Sequence, residues 1–253
     1  MKFTDYINKH HVFTTSSLSE ALDSKAAAEE QLRLAVKSGA VERVRRGLLV
    51  SNRGRYEGVL VDQTELVSAL DANAVISYHS ALEAYGVAHN LGYVCYFRSD
   101  LVHTKFEFRG VSYLPCGPVA GVSSKALRSA SGLYLATTKE QTFVDCLEKP
   151  NLAGGIEEAV RSLTTFAYLD VNALMSHAVS LGPTMVSRVA WLLSEKKNEW
   201  HVSDQDLSFL ESQLGPGPYR LLSSGKVSDG WSPRWKLIFP DKNEEVESWI
   251  TRF

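Results

Sequence analysis

Arg43, Arg45, Arg46, Arg53 and Arg55 fall within the stretch RVRRGLLVSNRGR, which holds no acidic residue. A basic patch of this kind is the electrostatic footprint of a polyanion. It is also local. Residues 1–56 hold ten Lys or Arg against six Asp or Glu, a surplus of four, whereas the chain as a whole has a net charge of −2, so residues 57–253 carry a deficit of six. The basic chemistry is therefore confined to one end of an otherwise acidic chain.

Other arrangements that perform chemistry lack their context. There is no GxxxxGK followed by Ser or Thr, no GxGxxG between strand and helix, and no GxSxG elbow. A helix beginning at His79 carries Glu83 where a zinc protease needs a second histidine. Asp170 with Glu195, Lys196 and Lys197 has the D…ExK order of metal-dependent nucleases. That pattern needs its ExK on a strand, yet the residues before it, Val189 to Leu193, are helical in character. Cys95, Cys116 and Cys146 are widely spaced, without a CxxC or His–Cys cluster, and read as buried free thiols. No metal, cofactor or catalytic activity is expected.

The elements that must position the arginines are legible upstream of them. Phe3, Tyr6 and Ile7 have helical spacing, and Thr14 to Ser17 offer caps to a second short helix with Leu18, Ala21 and Leu22. Asp23 or Ser24 caps a third helix, KAAAEEQLRLAVK, which stops at Gly39 after a lysine-bearing last turn. On a helical wheel Ala28, Leu32, Ala35 and Val36 share one face, whereas Arg33, Lys37, Ala26 and Glu30 lie opposite. The segment AVERVRRGLLVSN then reads as a hairpin turning at Arg45-Arg46-Gly47. Three helices followed by a basic hairpin is the order of a winged helix-turn-helix, in which the third helix enters the major groove and the wing lies along the backbone. The candidate DNA-binding residues are Lys25, Arg33, Lys37, Arg43, Arg45, Arg46, Arg53 and Arg55.

Downstream, a helix over residues 62–70 leads into alternating elements. VIS precedes a helix YHSALEAYG with Ser77 as its cap; YVCYF is a strand; KFEFRGVSYL is a hairpin turning at Arg109-Gly110; LYLAT is a strand. Thr138 and Gln141 offer a capping box to TKEQTFVDCLE, in which Asp145 makes a structural hydrogen bond. Helices follow over 155–164, 170–181, 184–196 and 204–214, then strands in YRLLSS and PRWKLIFP and a last helix capped by Asn243. Trp231, Trp235 and Trp249 are expected in a core. The fold class is α+β: a winged helix-turn-helix over 1–56 and a larger mixed α/β domain over 57–253.

Hydrophobic residues make up 44% and charged residues 22%, as in ordinary globular chains. No apolar run approaches the roughly 20 residues that span a bilayer. MKFTDYINKHH lacks the basic start and apolar core of a signal peptide. A cytoplasmic protein without membrane association is expected.

Three segments together resemble the AbiEi-type antitoxins of type IV toxin–antitoxin systems: LAVKSGAVERVRRGLLV (34–50), VISYHSALEAYGV (75–87) and LATTKEQTFVDCLEKPNLAGGIEEAV (135–160). The third is the most distinctive, and PRWKLIFP is similar to the family's last strand. Leu49 departs from the family's usual tyrosine at the wing ending. The resemblance implies a repressor that binds inverted repeats in its own promoter. It also implies a C-terminal domain that counters a nucleotidyltransferase-like toxin without forming a stable complex, in systems associated with abortive infection against phage. It carries Arg33, Lys37, Arg43, Arg45 and Arg46 over as DNA contacts. The other readings are a stand-alone winged-helix regulator with a ligand- or protein-binding C-terminal domain, and a DNA-targeted nuclease.

Overall fold

The computed structural model describes residues 1–22, 24–222 and 230–250, and shows a mixed α+β fold. It divides into two compact units whose segments alternate along the chain. The first comprises Met1–Ile76, Tyr93–Ala120 and Ala126–Leu135; the second comprises Ser77–Gly92, Gly121–Lys125 and the chain from Ala136 onward.

The first unit begins with α1 (Phe3–Lys9), β1 (Val12–Thr14), α2 (Thr15–Ala21), α3 (Lys25–Lys37), β2 (Val41–Arg45) and β3 (Leu48–Ser51). Thr14 caps α2 through a reciprocal bond with Ser17, and Ser24 caps α3 by accepting from the Ala27 amide. Asp23, the other candidate cap, lies outside the described residues. Ala28, Leu32 and Ala35 bury the inner face of α3 against Phe3, Tyr6, Ile7, Phe13 and Leu18. The three strands form an antiparallel sheet in the order β1-β3-β2. Arg45 pairs with Leu48 across a two-residue turn in which Gly47 takes φ +85°, a conformation that glycine adopts without a Cβ penalty. The register shifts between Arg43 and Arg45, and such a bulge re-aims neighbouring side chains.

The same unit continues with α4 (Gln63–Leu70), capped by Asp62, and with most of a six-stranded sheet, of which Ser124–Lys125 and Ala136–Thr137 fall in the second unit. Its strands are β4 (Val75–Ile76), β5 (Val94–Arg98), β6 (Phe106–Phe108), β7 (Val111–Pro115), β8 (Ser124–Ser129) and β9 (Gly132–Thr137), in the order β6-β7-β5-β4-β9-β8. β5 and β7 run parallel, and β6–β7 is the hairpin turning at Arg109-Gly110. Residues 1–56 are tied into this unit. α4 packs on β1, and His11 Nδ1 lies 3.1 Å from Glu65 Oε2. Arg109 Nη2 lies 2.6 Å from Glu42 Oε2.

The second unit holds α5 (His79–Ala84), α6 (Lys139–Glu148), α7 (Ile156–Leu163), α8 (Val171–Leu181), α9 (Pro183–Glu195) and α10 (Asp204–Ser212). A small sheet, ordered β10-β12-β11, combines β10 (Tyr219–Arg220), β11 (Gly230–Ser232) and β12 (Leu237–Phe239), and α11 (Asn243–Ser248) follows. Four local expectations are corrected. Tyr78, not Ser77, occupies the cap of α5, at φ 55° and without a side-chain cap bond. Thr138 caps α6, but the Gln141 side chain does not complete a box; it accepts from the Ser123 amide and donates to Asp145. Asn243 does not cap α11, because its Oδ1 accepts from the Trp231 amide, and Lys242 holds the cap position. Trp235 and Trp249 are buried as expected, whereas Trp231 is exposed. Of YRLLSS, Tyr219 and Arg220 form β10, while residues 223–224 lie outside the described ones. Cys95 and Cys146 are buried free thiols and Cys116 is half-buried.

Within this unit His79, the 89–90 turn, Gly154 and Ser162 gather around the buried carboxylate of Glu158. Glu158 Oε1 accepts from the amides of His89 (3.1 Å) and Asn90 (3.0 Å) and from the Ser162 hydroxyl (3.0 Å), while Oε2 accepts from the Asn90 side chain. The His79 ring lies between two acids, with Nε2 3.5 Å from Glu158 and Nδ1 3.6 Å from Glu83. Gly154 at φ +82° leaves the space this needs: a Cβ there would come within 2.7 Å of Glu158 Cγ. Burial pushes the Glu158 carboxyl up, but the Asn90 amide, the Ser162 hydroxyl, the Asn90 side chain and His79 outweigh it and hold the group below its ordinary value.

Two outcomes follow from these packings. A fragment beginning at residue 57 should lose amide protection in β4, β5 and β7 while retaining it in α6 and α9, as read by hydrogen exchange. Full protection of β5 would show that residues 1–56 are a separable module. Glu158→Gln leaves buried donors poorly matched and should destabilise the protein by about 2 kcal/mol at pH 7. Because folding lowers the Glu158 pKa, its stabilisation is complete above the unfolded value, roughly 4.3, and is lost as the pH falls through the lower folded value. The gap between wild type and variant should therefore narrow below about pH 4 in denaturant titrations; a pH-independent gap would remove the carboxylate's charge from the explanation.

Candidate nucleic-acid interface

The eight basic residues read from the sequence are sorted by what they touch. Helix α3 turns Ala26, Glu30, Arg33, Leu34 and Lys37 to solvent as one stripe. Arg33 is exposed but not idle. Its Nη2 and Nε bond Glu30 Oε1 at 2.7 Å and Oε2 at 3.0 Å, a side-on fork one helical turn long. This hydrogen bonding lowers the Glu30 carboxyl and raises the guanidinium. Exposed pairs of this kind are weak and easily exchanged for another anion. Lys25 opens α3, and its side chain lies outside those described.

α3 packs on β2, the first strand of the hairpin. Arg43, Arg46 and Arg53 are exposed, and together with Lys37 they form no ion pair among the described residues. The tip is anchored, because the Thr15 amide donates to the Gly47 carbonyl at 3.0 Å. The one acid at the base of the hairpin, Glu42, is occupied by Arg109. Arg109 was legible only as a turn residue, since its partner lies 67 positions away.

Two of the eight are engaged in packing. Arg45 is half-buried with its guanidinium 5.0 Å over the Phe106 ring, and Nη2 reaches Thr104 Oγ1 at 3.3 Å. Arg55 lies over the Tyr56 ring and donates to the Lys9 carbonyl at 3.1 Å. Tyr56 donates to the same carbonyl and stacks on His11, so the pair closes the end of α1. Lys37, Arg43, Arg46 and Arg53 are presented to solvent without an ion pair among the described residues, Arg33 is exposed behind its fork, and Arg55 is exposed while bonded to the Lys9 carbonyl.

The nuclease-like residues are engaged elsewhere. Asp170 caps α8, α9 remains helical through Glu195, Lys196 pairs with Glu199 and Lys197 with Asp204. Among the described residues no group of His, Cys, Asp and Glu could hold a metal ion. No described helix is long and apolar enough to cross a membrane.

No family model and no curated protein matches the chain. Among solved structures, it is similar to the crystal structure of the RV2827C protein from Mycobacterium tuberculosis, with a TM-score of 0.65 over 97% of this chain and 91% of that one. The two are 14% identical, so the likeness is one of fold alone.

Proposed function

We propose that the chain is a sequence-specific DNA-binding repressor that also serves as the antitoxin of a type IV toxin–antitoxin pair. In this reading α1 to β3 form a winged helix-turn-helix, with α3 in the major groove and β2–β3 as the wing. The observation that carries it is that Arg33 and Lys37 on the outer face of α3, and Arg43 and Arg46 in the hairpin that follows it, are all exposed, Arg43 and Arg46 without an ion pair among the described residues. These cations would neutralise phosphates and release counterions. The antitoxin role rests on the resemblance of segments 34–50, 75–87 and 135–160 to AbiEi-type proteins. The DNA target is an inverted repeat in the chain's own promoter, and the toxin is nucleotidyltransferase-like and held in no stable complex. The chain acts in the cytoplasm without a cofactor and performs no catalysis of its own. Footprinting on the upstream region of its own gene tests the DNA role directly; absence of protected inverted repeats would remove it.

The sorting of the arginines gives a sharper outcome. Replacing Arg43 and Arg46 with alanine should weaken binding to operator and random duplex alike, and reduce the slope of log affinity against log salt by up to about 1.8. Arg45→Ala should instead lower the melting temperature through lost packing on Phe106 and leave the slope within experimental error. A slope that falls with Arg45 and not with the exposed pair would reverse the assignment.

The Arg43→Ala, Arg46→Ala chain also separates the two activities without cutting a unit. Expressed with its toxin from unrelated promoters, it should relieve growth arrest as well as wild type while failing to bind operator, and it should not co-purify with the toxin. Loss of rescue together with loss of DNA binding would make the protein a repressor alone.

A further inference from the structure

Residues 41–55 hold five arginines and a single acid, Glu42, which directly precedes Arg43. That acid is met from the β6–β7 turn. Arg109 Nη2 and Nε reach the same carboxylate oxygen, Glu42 Oε2, at 2.6 and 3.1 Å. The side chains of Arg109 and Glu42 are 37% and 44% exposed, so the pair is open to solvent and adds little to stability.

The backbone at Arg109 does not account for an arginine. Phe108 pairs with Val111, which leaves Arg109-Gly110 as a two-residue turn with φ +48° and +81°. Positive φ at both central residues is the setting that favours Asn-Gly, and an ordinary L side chain enters it at a cost. What arginine adds is its guanidinium, which reaches Glu42 while lying 5.1 Å from the centroid of the Phe108 ring. An unmasked Glu42 would act against the hairpin. Consecutive Cα atoms are about 3.8 Å apart. Charges at that spacing act on the same partner, above all at low ionic strength, where screening extends over about 30 Å at 0.01 M. The carboxylate would therefore repel any phosphate that Arg43 attracts. We propose that Arg109 is a positioning residue for polyanion binding, which keeps the hairpin cationic by neutralising its one acid. This rests on the DNA-binding reading and adds to it a residue that acts through Glu42 and touches no nucleic acid.

A double-variant cycle in the full chain tests it. Arg109→Asn, Arg109→Lys, Glu42→Gln and the combined Glu42→Gln, Arg109→Asn chain are compared with wild type. Affinities are measured at low and at physiological salt, for a duplex of random sequence and for one selected from a random library. Arg109→Asn should weaken binding several-fold to both duplexes at low salt, with a smaller loss at physiological salt. Its melting temperature should not fall, because asparagine suits the turn. Arg109→Lys keeps the charge and should bind as wild type does. The combined variant should bind as tightly as Glu42→Gln alone, a rescue that a merely structural brace would not allow. A combined variant that stays weaker than Glu42→Gln overturns the assignment, since Arg109 then touches the DNA or only braces the hairpin. Undiminished affinity in Arg109→Asn overturns it too, and in both cases binding by wild type stands. Failure of wild type to bind either duplex overturns the DNA-binding reading and this inference with it.

Discussion

The β2–β3 hairpin can present arginines only because other parts of the first unit hold it still. The Thr15 amide fixes the Gly47 carbonyl at the tip, Arg109 takes up Glu42 at the base, and Arg45 lies over Phe106. Without such anchors a short hairpin is marginal in water, and its charged side chains would impose no fixed spacing on a partner. Arg45 is spent in this anchoring. Its Nη1 is buried without a hydrogen-bond partner, a desolvation cost that the ring contact and the Thr104 bond offset. The exposed Arg43 and Arg46 owe their placement to an arginine that does not share their exposure.

A buried carboxylate plays the corresponding part in the second unit. Glu158 holds the 89–90 turn through two amides and a side chain, and Gly154 must lack a Cβ for the acid to fit. The stretch 135–160 therefore contains residues that the fold itself requires. Glu158 is 7% exposed and its acceptor capacity is consumed internally, so it is a poor candidate for contact with any partner.

Much of this organisation was legible in the sequence where the signal is local. Ser24, Lys37 and Gly39 bracket α3, and Gly47 and Gly110 mark the two hairpins. Helices α6 to α10 follow from caps and spacing. What escaped depends on distant partners. β8, SKALRS, is an edge strand exposed along most of its length, so it shows no clean apolar alternation. Gln141 has the right spacing for a capping box but finds Ser123 and Asp145 instead. The two compact units were also beyond local reading, because segments of each alternate along the chain.

The arginine cluster shows why composition identifies a basic segment more readily than it identifies the surroundings of each residue. In RVRRGLLVSNRGR all five arginines look equivalent, since each is cationic and close to a turn. A bulge between Arg43 and Arg45 breaks the strand's alternation, and Arg45 meets an aromatic ring 61 positions away while Arg43 stays in solvent. Arg55 similarly meets Tyr56 and the carbonyl that ends α1. Alanine at an exposed, unpaired arginine ordinarily changes stability by less than about 0.5 kcal/mol. At Arg45 or Arg55 it removes packing as well as charge. Loss of binding caused by those two substitutions would therefore speak first to the scaffold, and only Arg43, Arg46 and Arg53 report on the electrostatics of the face itself.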